Sequence, residues 1–300
     1  MLVGPAALVA PVVEALVLAR CAPAVARRLH PATATWLLGL LALGCAASTV
    51  VTLVALVSGL SLGELVELWP RSPRPGGPVI AGLAVACTGV GLLAVLPVAG
   101  PAARDWWRAR RACPAVRPPD GLLVVEESAP EAYAVPAAGG LVVVSTGMLA
   151  LLEPQERAVL LAHERAHLRH RHHLHRLLVR ACAVANPLLR PVVRVSAQQV
   201  ERWADEVAAR EVGDRTVAAR SLARAALATR APAAGLAAGG GDSAERVRAL
   251  LDPAAPRRVG LVAVAAALAA TMLLAAVAQA DRVEDRWERL PTPVADTRHG

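Results

Sequence analysis

The sequence predicts a mostly α-helical, multi-pass membrane protein with four transmembrane helices and one cytoplasmic α+β domain. Three observations carry this. Of 300 residues, 55% are hydrophobic, and mean hydropathy is +0.46. An ordinary soluble domain has about 45–50% apolar residues and a negative mean hydropathy. Aromatics make up only 2%, with no Phe, so the excess is Ala, Leu and Val in long uncharged runs, as membrane helices require. Between the third and fourth of these runs lies one long charge-bearing stretch, residues 104–258, of a length that suits one domain. The same figures exclude a disordered chain, a collagen-like repeat and a disulfide-stapled secreted scaffold. The cysteines Cys21, Cys45, Cys87, Cys113 and Cys182 form no C-x-x-C pair. They read as reduced packing residues rather than a disulfide framework or a zinc site.

The elements follow in chain order. Residues 1–103 form a membrane region of three helices. The first covers Leu2 to Ala19, interrupted by Pro5, Pro11 and Glu14. It lacks a basic stretch ahead of its apolar run, so it reads as a retained helix rather than a signal peptide. The second lies in the uncharged run between His30 and Glu64, and the third in the uncharged run between Arg74 and Arg104. The fourth helix, 259–280, is uncharged throughout and is followed by a short external tail, 281–300. A helix of about 20 apolar residues crosses a bilayer, and each of the last three runs is long enough. The net charge is +8, and every one of the 32 basic residues is Arg. Arg20, Arg27 and Arg28 follow the first helix, and Arg104, Arg108, Arg110, Arg111 and Arg117 follow the third. Positive loops stay in the cytoplasm, which places the 104–258 domain inside and the protein in the cell membrane. Read this way, a pI near 10.6 marks orientation rather than nucleic-acid binding. Glu14, an acid inside an apolar run, is a functional suspect by position, facing the helix bundle or a water-filled crevice.

Within the cytoplasmic domain, Gly121–Glu126 and Leu141–Ser145 are short Val-rich runs that read as strands. They flank Tyr133 and the Gly139-Gly140 turn, and a small antiparallel sheet is expected. From Glu153 the pattern turns helical, with Pro154 in the first turn. A second helix is expected from about Ser196 to Glu211. Residues 231–242, rich in Ala and Gly, read as a loop.

The chemistry concentrates in His163-Glu164-Arg165-Ala166-His167. On a helix, residues four apart share a face. Both imidazoles can then bind one Zn²⁺, with Glu164 turned toward the metal's water. Zn²⁺ lowers the pKa of a water to about 7 and polarises a scissile carbonyl. Glu164 would pass the proton from that water to the leaving amine. The best third ligand is Glu201, on the second helix, which can fold back against the first. Asp205, one turn further, could hold a ligand imidazole by its other ring nitrogen. His170, His172, His173 and His175, interspersed with Arg169, Arg171 and Arg176, extend the His run. They read first as a basic helix end facing lipid headgroups, with further metal ligands or pH sensors as the alternatives.

H-E-x-x-H followed by E-x-x-A-D resembles the gluzincin pattern of HtpX-like membrane proteases and the related BlaR/MecR-like membrane metallopeptidases. Glu131-Ala132-Tyr133-Ala134 and Gly140 to Leu149 look like that family's edge strand and its following strand-to-helix segment. Asn186-Pro187-Leu188 and Val192-Val193 look like the BlaR/MecR-type link between the two zinc helices. Three helices, a cytoplasmic zinc domain and a fourth helix match the BlaR/MecR-like arrangement. The resemblance implies a zinc-dependent endopeptidase with His163, His167 and Glu201 as ligands, Glu164 as general acid/base and Asp205 supporting a ligand. It also implies that Glu131, Ala132, Tyr133 and Ala134 pair with an extended substrate by β-augmentation. The expected partners are the lipid bilayer and a cytoplasmic protein substrate, a winged-helix transcriptional repressor in a signalling pathway, with no direct nucleic acid. Antibiotic-sensing members of that family carry an external penicillin-binding domain after the fourth helix. Here only the short tail 281–300 follows it, and β-lactam sensing is not expected. Three readings compete with a repressor-cleaving protease. One is an HtpX-like quality-control protease and another a non-catalytic zinc-binding regulator. The third, an Arg-rich nucleic-acid binder, would show salt-dependent DNA binding.

Overall fold

The computed structural model describes residues 5–67, 120–136, 140–228, 240–252 and 260–272, with the single positions 118, 256, 258 and 274. Most of these residues are helical. Two helices near the N-terminus are long and apolar enough to cross a membrane. Helix α1 (Pro5–Arg28) contains Val9–Arg28, and α2 (Pro31–Glu67) contains Pro31–Leu53. Pro11 and Pro23 lie inside α1 without ending it. Between the two helices, the buried His30 accepts the Ala32 N–H at Nδ1, 3.1 Å, and opens α2. Glu14 is half-buried in α1. The third expected membrane helix, with Cys87 and Cys113, lies outside the described residues. Of the fourth, Gly260–Met272 is helical. A Cβ on Gly44 of α2 would lie 2.9 Å from the Ala269 Cα, so the two backbones approach closely because residue 44 has no side chain.

The sheet is mixed rather than antiparallel. Its strands are β1 (Leu122–Val125), β2 (Ala132–Val135) and β3 (Leu141–Ser145), in the order β1-β3-β2. β2 and β3 pair antiparallel, as the turn predicts, with Gly140 at φ +89° on the way into β3. β1, however, runs parallel to β3. Burial explains the order. Every residue of β3 is buried, so the most apolar run takes the centre, while Val124 and Tyr133 on the outer strands stay half exposed. Ser145 ends β3 and caps the short helix α3 (Thr146–Leu151) by accepting the Met148 N–H, 3.0 Å.

Helix α4 (Pro154–Arg169) begins where Pro154 predicts, and its Glu153 N–H is held by Glu156 Oε2 at 3.0 Å. It ends at His170. Arg171 then takes φ +51°, the one positive φ among the described non-glycine residues, and the chain turns into α5 (His172–Ala185). A 3₁₀ turn, Pro187–Leu189, leads to α6 (Arg190–Val212). That helix starts at Arg190 rather than the expected Ser196, because Pro191 sits in its first turn, where a missing N–H costs nothing. Gly213, at φ +79°, closes it. Helices α7 (Arg215–Ala228) and α8 (Gly240–Leu251) complete the domain. Of the loop expected over 231–242, residues 240–242 instead form the first turn of α8, with Asp242 at its positive end. The rest lies outside the described residues.

Two cores position the site. Val159 and Ala162 of α4 pack with Ala208, Ala209, Val217 and Leu250 from α6, α7 and α8. A second core joins the domain to the N-terminal helices. In it Val179, Cys182, Leu189 and Val192 pack on Ala15, Leu18, Leu38 and Cys45. Cys21, Cys45 and Cys182 are free thiols.

Candidate metal centre

Helices α4 and α6 lie against each other through Ala166, Trp203, Ala204 and Val207. Alanine at 166 and 204 lets the helices approach, and their polar faces meet beside this contact. His163 and His167 project from α4 with their Nε2 atoms 3.1 Å apart. Glu201 of α6 faces both: its Oε2 lies 3.6 Å from His163 Nε2 and its Oε1 3.5 Å from His167 Nε2. A tetrahedral ion with bonds of about 2.0–2.1 Å sets its ligand atoms about 3.3–3.5 Å apart. Two imidazoles and a carboxylate also form a common zinc donor set. The three residues therefore fit the metal that the spacing predicts.

Each imidazole is held by its other nitrogen. His163 Nδ1 donates to Asp205 Oδ1 at 3.0 Å. His167 Nδ1 meets His172 Nδ1 at 2.9 Å. Asp205 is itself gripped by Arg246, whose Nε and Nη2 donate to Oδ2 and Oδ1 at 2.8 and 2.7 Å. Arg246 Nη1 also lies 3.3 Å from Glu201 Oε2, and Arg176 donates to Glu201 Oε1.

These contacts set the charges. Burial alone would lower His163, but its hydrogen bonds to Asp205 and Glu201 and the charges of Asp205 and Glu164 push it up to about 10. Burial and the neighbouring His163 charge push His167 down to about 4. Burial would raise Glu201. The hydrogen bond and charge of His163, with His167 and Arg246, hold it well below the usual carboxylate range. Asp205 is likewise lowered against its burial, by Arg246 and His163. Glu164 goes the other way, because burial outweighs the His163 charge and its carboxyl is raised.

Glu164 is only 9% exposed, and the backbone of Ala134 in β2 lies near enough to favour its charged form. Ala132, Tyr133 and Ala134 line a cavity of about 370 Å³ that also contains His163, Glu164, His167 and Glu201. Glu131, one residue before the strand, does not line it. On the other side of the ligands, a cavity of about 250 Å³ is walled by Val159, Leu160, Leu222, Ala225 and Leu250. Of the remaining histidines, His173 lines the larger cavity. His170 packs at a tilt against Trp203, ring centroids 4.5 Å apart. His175 packs edge-on to Trp36 at 5.9 Å. None of the three joins the ligand cluster.

Sequence reasoning missed Arg246 and the contacts of Arg176 and His172. Arg246 is far from Asp205 along the chain, in an ordinary amphipathic helix with no spacing signal. His172 was one of four interchangeable histidines until the turn at Arg171 selected it.

Residues 109–185 match the sequence model of peptidase family M48. The match contains β1, β2, β3, α4 with its H-E-x-x-H, and α5, and it supports a metallopeptidase. No curated protein and no solved structure matches the chain.

Proposed function

We propose that this chain is a membrane-integrated zinc endopeptidase that cleaves a cytoplasmic protein, a transcriptional repressor of winged-helix type. The observation that carries the peptidase reading is the convergence of His163, His167 and Glu201 beside a buried Glu164 that shares a cavity with strand β2. The family match over 109–185 supports it. The repressor follows from the BlaR/MecR-like resemblance of the link at Asn186 and from the expected order of three helices, domain and helix.

A zinc ion held by the three ligands would supply Lewis acidity toward a scissile carbonyl and make a water acidic near neutral pH. The chain's own residues supply the rest. The raised Glu164 carboxyl suits a group that accepts a proton and then returns it to a leaving amine. Among the described residues, β2 has β3 on one side and no strand on the other, so its outer edge is open to the backbone of an extended peptide. Ala134, which lies near Glu164, would bring that peptide beside the carboxyl. Arg246 and Asp205 fix the His163 ring, and His172 fixes that of His167.

Replacing Glu164 with Ala is expected to leave zinc content unchanged while cleavage stops. A proteomic comparison of wild-type and Glu164→Ala cells should find one stabilised protein. Stabilisation of many damaged membrane proteins would instead show a quality-control protease. An unchanged proteome and unchanged signalling would leave a non-catalytic regulator.

A further inference from the structure

Helix α5 leaves the left-handed turn at Arg171 with two side chains, four residues apart and so on one face, turned to the ligands. His172 meets His167 through Nδ1 at 2.9 Å, and Arg176 donates through Nη2 to Glu201 Oε1. That oxygen lies 3.5 Å from His167 Nε2, so the Arg176 guanidinium stands one hydrogen bond from the ligand cluster. Arg246 also reaches Glu201, but the two arginines are used differently. Arg246 spends Nε, Nη1 and Nη2 on Asp205 and Glu201 and lines the smaller cavity. Among the described residues, Arg176 spends Nη2 alone. Its Nε–H is buried and finds no partner among them, although buried donors are nearly always satisfied. The rest of its side chain, 37% exposed, lines the larger cavity with Ala132, Tyr133 and Ala134 of β2 and with Glu164. Arg176 therefore has donors that the described fold does not use, beside the strand edge and the candidate base.

Peptide hydrolysis builds negative charge on the scissile carbonyl oxygen, and a donor held ready for that charge is among the largest contributions to catalysis. Other polar side chains lining the cavity suit this task less well. Tyr133 is uncharged and half exposed on the outer strand. His172 is buried and committed to His167. His173 is held toward its neutral form by burial and the Arg171 charge. Arg176 is the only arginine among the described residues that line the cavity, and a guanidinium keeps its charge throughout. We propose that Arg176 is a catalytic residue, which donates to the carbonyl oxygen of the scissile peptide as that oxygen becomes an anion. This rests on the peptidase reading. A water oxygen bonds to the carbonyl carbon, the π pair moves onto the carbonyl oxygen, and Glu164 takes the water's proton. Arg176 stabilises the new charge with an N–H that its bond to Glu201 already holds near the site. When the pair returns to re-form the carbonyl, the C–N bond breaks and Glu164 gives its proton to the leaving nitrogen.

The test uses the full chain, purified in detergent and loaded with zinc, as wild type, R176Q and R176K. Two metal-seeking probes are compared by calorimetry. Phosphoryl-leucyl-tryptophan carries tetrahedral oxygens that copy the anion, and mercaptoacetyl-leucyl-tryptophan binds through a thiolate that has none. R176Q is expected to bind the phosphoryl probe about 100-fold more weakly, with thiol binding and zinc content unchanged. R176K, which keeps the charge but not the fork, should recover part of the loss. Casein turnover by R176Q should fall about 10²–10³-fold in kcat, with KM little altered. Equal weakening of both probes together with lost zinc would make Arg176 a support for Glu201 and overturn the proposal. Phosphoryl binding that R176Q leaves unchanged would overturn it as well. If R176Q does not fold, R176K decides, and an unaltered ratio of its two affinities counts against the proposal. A wild-type chain that holds zinc but binds neither probe and cuts no casein would sink the peptidase reading, and the proposal with it.

Discussion

Arg246 shows how much of the candidate metal site lies outside its three candidate ligands. Removing it as Arg246→Ala leaves Asp205 buried without its cation and loosens His163. We expect zinc affinity to fall about 10–100-fold and the fold to lose about 3–5 kcal/mol, as read by chelator competition and thermal unfolding. Arg246→Lys keeps the charge but not the paired geometry and should recover only part of both. His163 gives a second prediction. Raised to about 10 in the metal-free fold, it carries a proton at pH 7.5, and a zinc ligand must be neutral. Zinc uptake at pH 7.5 should therefore release about one proton, measured by calorimetry in buffers of different ionisation enthalpy. Zero release would mean that His163 is already neutral in the metal-free fold. The same shift is a stability statement for the metal-free fold. The contribution of charged His163 is fully present below its ordinary value of 6.5 and is lost as pH rises through about 10. At this scale the sequence was legible where chemistry repeats at helical spacing, as in His163, Glu164, His167 and Glu201, Asp205. It was silent on Arg246, since a contact between distant stretches of chain has no period.

Among the elements, α5 shows both what pattern reveals and what it hides. The start of α4 was readable from Pro154, and the most apolar run became the central strand. The break between α4 and α5 was not, because arginine is not a residue that announces a left-handed turn. Nor was the parallel pairing of β1, which depends on which strand the rest of the fold buries. Helix α5 is keyed to α2 at Gly39, where a Cβ would come within 2.5 Å of His175 Cε1. Gly39→Ala should therefore push the helices apart and cost about 1–3 kcal/mol. It should also weaken zinc binding, since α5 carries His172 and Arg176. Adding His175→Ala removes the clash, so the double variant should unfold at a higher temperature than the sum of the single effects predicts. Simple additivity would mean that the two residues do not meet. Arg215 performs the corresponding task for α8. It pairs with Glu206 at 2.7 and 2.9 Å and donates to the carbonyls of Ala249, Leu250 and Asp252. That anchoring brings Arg246 within reach of Asp205.

For the whole molecule, composition correctly suggested apolar helices beside a charge-bearing domain, but it could not show that the two share a core. Val179, Leu189 and Val192 would be laid bare if the domain were cut free. We therefore expect an excised 104–258 fragment to aggregate unless detergent is present, and light scattering with and without detergent checks this. A monodisperse fragment in plain buffer would contradict the shared core. Hydropathy counts residues along the chain and carries no information on which side of a helix meets which neighbour, so this contact was invisible in the sequence.

The packing of Ala166 and Trp203 on Ala32 has one more consequence. Ala166 directly precedes His167 on α4, and Ala32 is in the first turn of α2. The first turn of α2 thus sets the distance between the apolar helices and the candidate ligands. Under the proposed membrane-protease reading, a substrate would have to be presented close to the apolar helices. Proximity to the membrane, as much as residue sequence, would then decide which bonds are cut.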